Sequence, residues 1–220
     1  MRRQLMCGAV VLAVVALGAA SALSEGSGSV FDSKHNLSVT GKGEIKSNTE
    51  TRVCIFCHSS HSASSEGPLW NHESTATPRF KTYERSTMNS AAEQPNGATK
   101  LCLSCHDGTI AVGAIRGLSR PIQMQSVTSS GAIPASRKSN FGADLTGTHP
   151  VSVKFLPDVA QADERLRWPP LDPAGEVGVD ANGYVQCTSC HDPHDDSKSE
   201  RYPFWQKETF DEVCDVCHRY

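Results

Sequence analysis

The longest apolar run in the 220-residue chain is Leu5 to Leu17, and no later segment repeats its density. Arg2 and Arg3 precede it and Ala20-Ser21-Ala22 follows, the order of regions in a secretory signal peptide. We therefore expect residues 1–22 to be cleaved; the run is too short to span a bilayer. Beyond it, apolar positions come singly or in short groups. Residues 23–34 are Ser/Gly-rich, and we expect residues 23–50 to form a polar N-terminal arm ahead of a domain over residues 51–220. Ser47-Asn-Thr-Glu50 and Thr209-Phe-Asp-Glu212 have capping-box spacing and predict short helices running into Cys54 and Cys214. Residues 107–186 are rich in turn formers. Within them Val151-Ser-Val-Lys-Phe155 alternates as a strand does, and Asp180-Ala-Asn-Gly183 predicts a turn before a short strand ending at Cys187. The expected fold class is mostly loop, with short α-helices and a few short strands.

Composition sharpens this picture. From residue 23 onward, 36 of 198 residues are Leu, Ile, Val or Phe, below the roughly 20% at which a charged chain is usually disordered. Such a chain cannot bury enough of its own apolar surface to offset the entropy of ordering. Something else must supply the core.

The cysteines identify it. Four Cys-x-x-Cys-His segments stand in the chain: Cys54-Ile-Phe-Cys57-His58, Cys102-Leu-Ser-Cys105-His106, Cys187-Thr-Ser-Cys190-His191 and Cys214-Asp-Val-Cys217-His218. Each is an attachment signature for a c-type haem, with two thiols bonding the haem vinyls and the adjacent His58, His106, His191 or His218 coordinating iron. Zinc sites, redox dithiols and disulfides also use paired cysteines, but none requires a His directly after the second one. The gaps between motifs are also too long and uneven for paired zinc knuckles. Cys7 is the one remaining cysteine, and it lies in the segment expected to be removed. The expected cofactor is therefore heme c, four per chain and covalently attached. Covalent and coordinate bonds to haem would tie distant loops together and make folding depend on the cofactor.

Four irons need four further ligands, and His35, His61, His72, His149 and His194 remain. His61 and His194 each lie three residues after a proximal His. On one helical turn they project the same way as that ligand, so the iron of a neighbouring haem is their natural target. His149 and His35 are expected to supply the other two ligands, with His72 as the spare. Met88 and Met124 are weaker candidates. Trp70, just before His72, is expected to pack on a haem.

The segments SKHNLS, CIFCHSSH, PLWNH, KLCLSCHDGTIAVG, GTHPVSV, VQCTSCHDPH and VCDVCH run in an order that resembles secreted multihaem cytochromes c with doubled CxxCH motifs. The likeness covers roughly residues 33–218. It is similar to that of bacterial tetrahaem electron-transfer cytochromes, some of which polymerise into extracellular filaments. The resemblance implies a fold organised around four stacked haems, bis-His ligation, low potentials and electron transfer outside the cytoplasm. CHSSH stands where such sequences often have CHTPH, which keeps the ligand. The partners implied are other redox proteins or extracellular electron acceptors, with self-association into a filament as an alternative. His35, on its polar arm, is placed either to serve a haem of the next subunit or to fold back onto its own.

Charge and motif content narrow the classes further. Removing Arg2 and Arg3 from 21 basic residues leaves 19 against 24 acidic ones. An acidic chain is unsuited to nonspecific nucleic-acid binding. Asp192, Asp195 and Asp196 form either a docking rim for a basic redox partner or a solvated cluster. No nucleophile elbow or triad accompanies the motifs, and five spare histidines for four irons leave no site obliged to be open. We expect an electron carrier and no enzyme, with a multihaem reductase or the electron-transfer subunit of a membrane complex as alternatives.

Overall fold

The computed structural model describes residues 29–199, 201 and 203–219; the expected signal peptide lies outside them. Most of the described chain is loop and turn. It carries helices α1 (Gly97–His106), α2 (Pro157–Gln161) and α3 (Phe210–Cys214), and strands β1 (Val153–Lys154) and β2 (Tyr184–Val185). Single 3-10 turns cover Val30–Asp32, Cys54–Phe56 and Cys187–Ser189. No helix among the described residues is long and apolar enough to cross a membrane.

The two strands expected from alternation pair with each other, Val153 opposite Val185 and Lys154 opposite Tyr184. The turn before β2 is built by Asp180, whose carboxylate accepts from the backbone N–H groups of Asn182 and Tyr184 at 2.8 and 3.0 Å. Gly183 closes that turn at φ +80°, a conformation that costs glycine little. The capping box at Thr209 and Glu212 is present and starts α3. The matching expectation at Ser47 is met in part: Ser47 Oγ accepts from Glu50 N at 3.1 Å, but the reciprocal bond is not made. Glu50 is held by Arg52 at 2.8 Å, and the Ser47 N–H goes to Leu37 O, so the first motif sits on a 3-10 turn.

Helix α1, which carries the second motif, is capped from a distance. Asn96 makes no side-chain cap bond. Instead the buried Gln186 accepts from Thr99 N at 3.2 Å and donates to Asn96 Oδ1 and Asp180 Oδ2 at 2.8 and 2.9 Å. Thr99 Oγ1 in turn accepts from Cys187 N. The second and third motifs are thereby clamped together. Gly97, at φ +46°, makes room, because a Cβ there would stand 2.9 Å from the Gln186 amide. Replacing Gln186 with Leu leaves several buried partners unsatisfied and should cost about 2–3 kcal/mol. A fall in the denaturant midpoint of the haem-loaded protein, with an unchanged slope, is the expected result.

The apolar interior is small. Phe80, Leu103 and Leu145 form one cluster. Val177, Val213 and Val216 form another, with Cys190, Trp205 and Cys217 packed on it. The largest fully buried side chains include His72, Gln186, Asn36, Asn71 and Thr99, most of them polar. Meanwhile Phe31, Leu69, Phe141, Leu171 and Phe210 are all exposed. Polar side chains take nearly as large a share of the interior as apolar ones while several large apolar ones face out, which is unlike a self-sufficient core.

Candidate haem-binding site

The first three motifs hold their proximal imidazoles in a defined way. His58 Nδ1 donates to Pro68 O at 2.9 Å, His106 Nδ1 to Ser139 O at 2.7 Å, and His191 Nδ1 to Pro203 O at 3.0 Å. A carbonyl can only accept, so the proton is fixed on Nδ1 and Nε2 keeps its lone pair. This is the outer bond expected of a metal-ligating histidine, because it sets both tautomer and ring direction. Burial lowers the pKa of His106, His191 and His218, which favours the neutral, ligating form.

The first and third motifs are built alike. In Pro68-Leu69-Trp70 and Pro203-Phe204-Trp205 the proline carbonyl takes the imidazole proton, and the middle residue lies in the left-handed region at φ +53° and +60°. Leu69 O then accepts from Ser59 N and Phe204 O from Asp192 N. The residue after each tryptophan donates to the second cysteine's carbonyl, Asn71 to Cys57 and Gln206 to Cys190. Each tryptophan packs beside its proximal imidazole, at 6.0 Å for Trp70 and 5.5 Å for Trp205. A left-handed conformation costs a bulky residue strain, and the same strain at both motifs marks a shared purpose. Sequence reasoning missed these supports. The signal was there: Pro-apolar-Trp recurs 10 and 12 residues after a proximal His.

The structure brings three of the expected distal histidines to proximal ones. The ring centres of His58 and His194 are 6.0 Å apart, those of His35 and His106 6.1 Å, and those of His149 and His218 6.3 Å. A metal–imidazole bond of about 2 Å on each side, plus roughly 1 Å from each ring nitrogen to its ring centre, separates two axial rings by about 6 Å. All three separations match that spacing. His35 Nδ1 is bonded to Pro193 O at 3.2 Å, and burial lowers its pKa to about 4. His149 Nδ1 is bonded to Pro150 O at 3.0 Å, and His194 Nδ1 lies 3.5 Å from Asp192 Oδ1. His35 folds back onto its own chain, stacked on Phe204 at 4.2 Å.

The remaining candidates are placed differently. His61 is exposed, and the structure does not bring it to a partner imidazole among the described residues. His72 is fully buried, with Nδ1 2.8 Å from Glu73 O, Nε2 3.1 Å from Ala111 O and Cys105 Sγ 3.4 Å away. A neutral ring donates to only one of these carbonyls, and the buried imidazole packs between the segments that follow the first and second motifs. The acidic cluster is used locally: Asp192 accepts from His194 N, Asp195 from Ser197 N and Asp196 from Phe204 N. Those bonds hold the loop that carries His194.

The cysteines fit thioether attachment better than the alternatives. All eight described cysteines, Cys54, Cys57, Cys102, Cys105, Cys187, Cys190, Cys214 and Cys217, are free of disulfides. Among the described residues no three His, Cys, Asp or Glu side chains converge as a zinc site requires. Burial pushes the Cys57, Cys105 and Cys190 thiols to about 12, which disfavours a reactive dithiol. Cys187, held near 7 by a hydrogen bond from Cys102, is the exception, and that contact joins two different motifs. The exposed apolar side chains complete the fit. Leu69 follows the proline that orients His58, Phe141 lies 5.7 Å from His106, Phe210 packs on Trp205, and Leu171 N binds Val216 O. A macrocycle at each motif would cover them.

No curated protein matches the chain. The family of the doubled CXXCH motif matches residues 181–220, the segment holding the third and fourth motifs. The chain therefore carries a doubled haem-attachment motif of the kind that binds heme c and serves electron transfer.

Proposed function

We propose that the protein is an exported, extracytoplasmic electron carrier with four covalently attached haems, each held by two histidines. The observation that carries this is the set of three imidazole pairs at 6.0 to 6.3 Å, each joining a motif histidine to one outside it. When bound, heme c supplies one-electron exchange between ferric and ferrous iron. The chain's part is to attach, space and ligate. The clamp between Gln186 and Thr99 keeps the second and third motifs in register, and the bonds to Pro68, Ser139 and Pro203 fix ring orientation.

His61 completes the fourth pair with His191 in this reading. His194, on the loop of the third motif, faces His58 of the first, and His61 occupies the equivalent position three residues after His58. The exchange is then reciprocal. His72 is not the partner in this reading, because its ring is fully buried against Ala111 and Cys105.

A discrete carrier is favoured over a filament subunit, since the His35 arm is engaged at home. Export places the protein in the periplasm or at the cell surface, where it would serve other redox proteins. Low-temperature EPR of the ferric protein, after haem content is fixed, tests the assignment. Four low-spin haems are expected. A high-spin signal from about one haem in four would mean that the third motif is open at its distal face, and a reductase would become the better reading. A high-spin fraction that grows on dilution would mean that a ligand comes from a second copy.

A further inference from the structure

Two charges stand beside two different proximal histidines, Asp107 buried and Arg167 half-buried, and neither is paired with an opposite charge among the described residues. Asp107 directly follows His106 and is 4% exposed. Its Oδ1 accepts from Thr109 N and Thr109 Oγ1 at 2.9 and 2.8 Å. Its Oδ2 accepts from Thr77 Oγ1 at 2.8 Å, from Thr75 Oγ1, and from the shared Thr109 hydroxyl at 2.9 Å. Every partner donates, and three are hydroxyls contributed by two separate loops. Such a cage suits the acceptor-only carboxylate. No Lys or Arg pairs with Asp107 among the described residues; Lys138, next to the carbonyl that orients His106, is exposed to water.

Arg167 is the counterpart at the fourth motif. Its backbone N donates to Cys217 O at 2.9 Å and its Nη2 to His218 O at 3.2 Å. Its Nε is buried with no hydrogen-bond partner. No carboxylate pairs with it among the described residues. Asp163, on the preceding turn of chain, is taken by Arg165 at 2.8 Å. A guanidinium cannot be deprotonated to relieve burial, so the charge stays.

We propose that Asp107 and Arg167 set the haems of the second and fourth motifs apart in potential, low beside Asp107 and high beside Arg167. This rests on the reading that both motifs carry haem. Ferric iron bears one more positive charge than ferrous iron. A fixed anion therefore favours the ferric state and a fixed cation the ferrous state, and the effect is strong where water is excluded. Each couple exchanges one electron. The two charges thus give the carrier a direction, with an electron at the second motif moving downhill to the fourth.

Asp107→Asn keeps an oxygen for Thr109 N, and the threonine hydroxyls can turn to accept from the new amide, so the loop keeps its shape. Arg167→Gln removes the opposite charge. Haem content is measured first in each variant, then a spectroelectrochemical titration is resolved into its components. In Asp107→Asn one component should rise until its ferric-to-ferrous ratio at the wild-type midpoint has changed about tenfold, which is about 59 mV for one electron. In Arg167→Gln a different component should fall by a similar amount, and Arg167→Lys should stay within about twofold of wild type. Four haems with no component moved, or with the same component moved in both variants, overturn the proposal while leaving the carrier reading intact. Fewer than four haems in the unmutated protein would overturn the carrier reading itself. If Asp107→Asn does not load haem, Arg167→Gln decides alone.

Discussion

A chain that cannot attach haem, with all eight motif cysteines replaced by alanine, will not hold this fold. Its radius of gyration by small-angle scattering should rise from roughly 16 Å, expected for about 200 folded residues, toward the roughly 48 Å of an unfolded chain. The reason lies in what is buried. The apolar clusters found are Phe80, Leu103 and Leu145 at one place and Val177, Val213 and Val216 at another. The second is assembled around Cys190 and Cys217, so it forms beside attachment points. Other buried apolar side chains, such as Phe56, Ile115 and Phe155, are scattered among polar networks: Asn36, Ser38 and Thr40 bond one another, Gln186 caps α1, and Asp107 sits among threonines. Polar networks specify arrangement more than they drive collapse, because each bond replaces one that water already made. Leu69, Leu171 and Phe31, each more than half exposed, gain burial only when another apolar body lies against them. A compact haem-free chain with protected amides would show that these networks suffice, and would remove the structural role assigned to the cofactor.

How far the sequence reveals this architecture depends on how local the determinant is. The haem motifs, the Thr209 capping box, the alternation over Val151–Phe155 and the Asp180–Gly183 turn are legible because each is set by neighbours within a few residues. Pairing of β1 with β2 is not, since it joins segments about 30 residues apart. Helix α1 was missed for the same reason. Its cap comes from Gln186, and Asn96 does not serve as a cap through its own side chain. At Ser47 the local signal is half right, because Arg52 takes the Glu50 carboxylate and only a 3-10 turn follows. Among the site residues, the attachment cysteines and proximal histidines follow from spacing alone. Which distal histidine meets which motif does not, because His35 and His106, or His149 and His218, are brought together only by the folded chain. His72 shows the converse. Its position as the spare ligand follows from counting, but its role as a buried tie to Ala111 and Cys105 appears only in three dimensions.

The second large effect expected is on spin state. Replacing His194 with Ala should leave haem content unchanged and convert one haem from low-spin to high-spin, and that haem should belong to the first motif. Sequence position argues for the third motif, since His194 is three residues from His191. Geometry argues otherwise. The ring of His194 lies 6.0 Å from that of His58, nearly parallel at 24°, and its Nδ1 faces Asp192, which also holds the His194 backbone N–H at 2.9 Å. Asp192 N in turn bonds Phe204 O, so the loop is fixed from both sides and cannot swing to its own motif without breaking that pattern. Loss of the imidazole should therefore leave His58 alone on its iron, and added free imidazole should restore the low-spin form. Pairing the variant with Trp70→Phe identifies the haem, since Trp70 touches His58 edge-on and not His191. If the new high-spin signal ignores Trp70, His194 serves another iron. If every haem stays low-spin, the pairing of His58 with His194 is wrong, and with it the exchange of ligands between the first and third motifs. A shared ligand of this kind means that neither motif can be correctly built alone. Substitutions on one loop are then expected to register in the spectrum of the other, and that coupling is what holds a chain of few apolar side chains in a single arrangement.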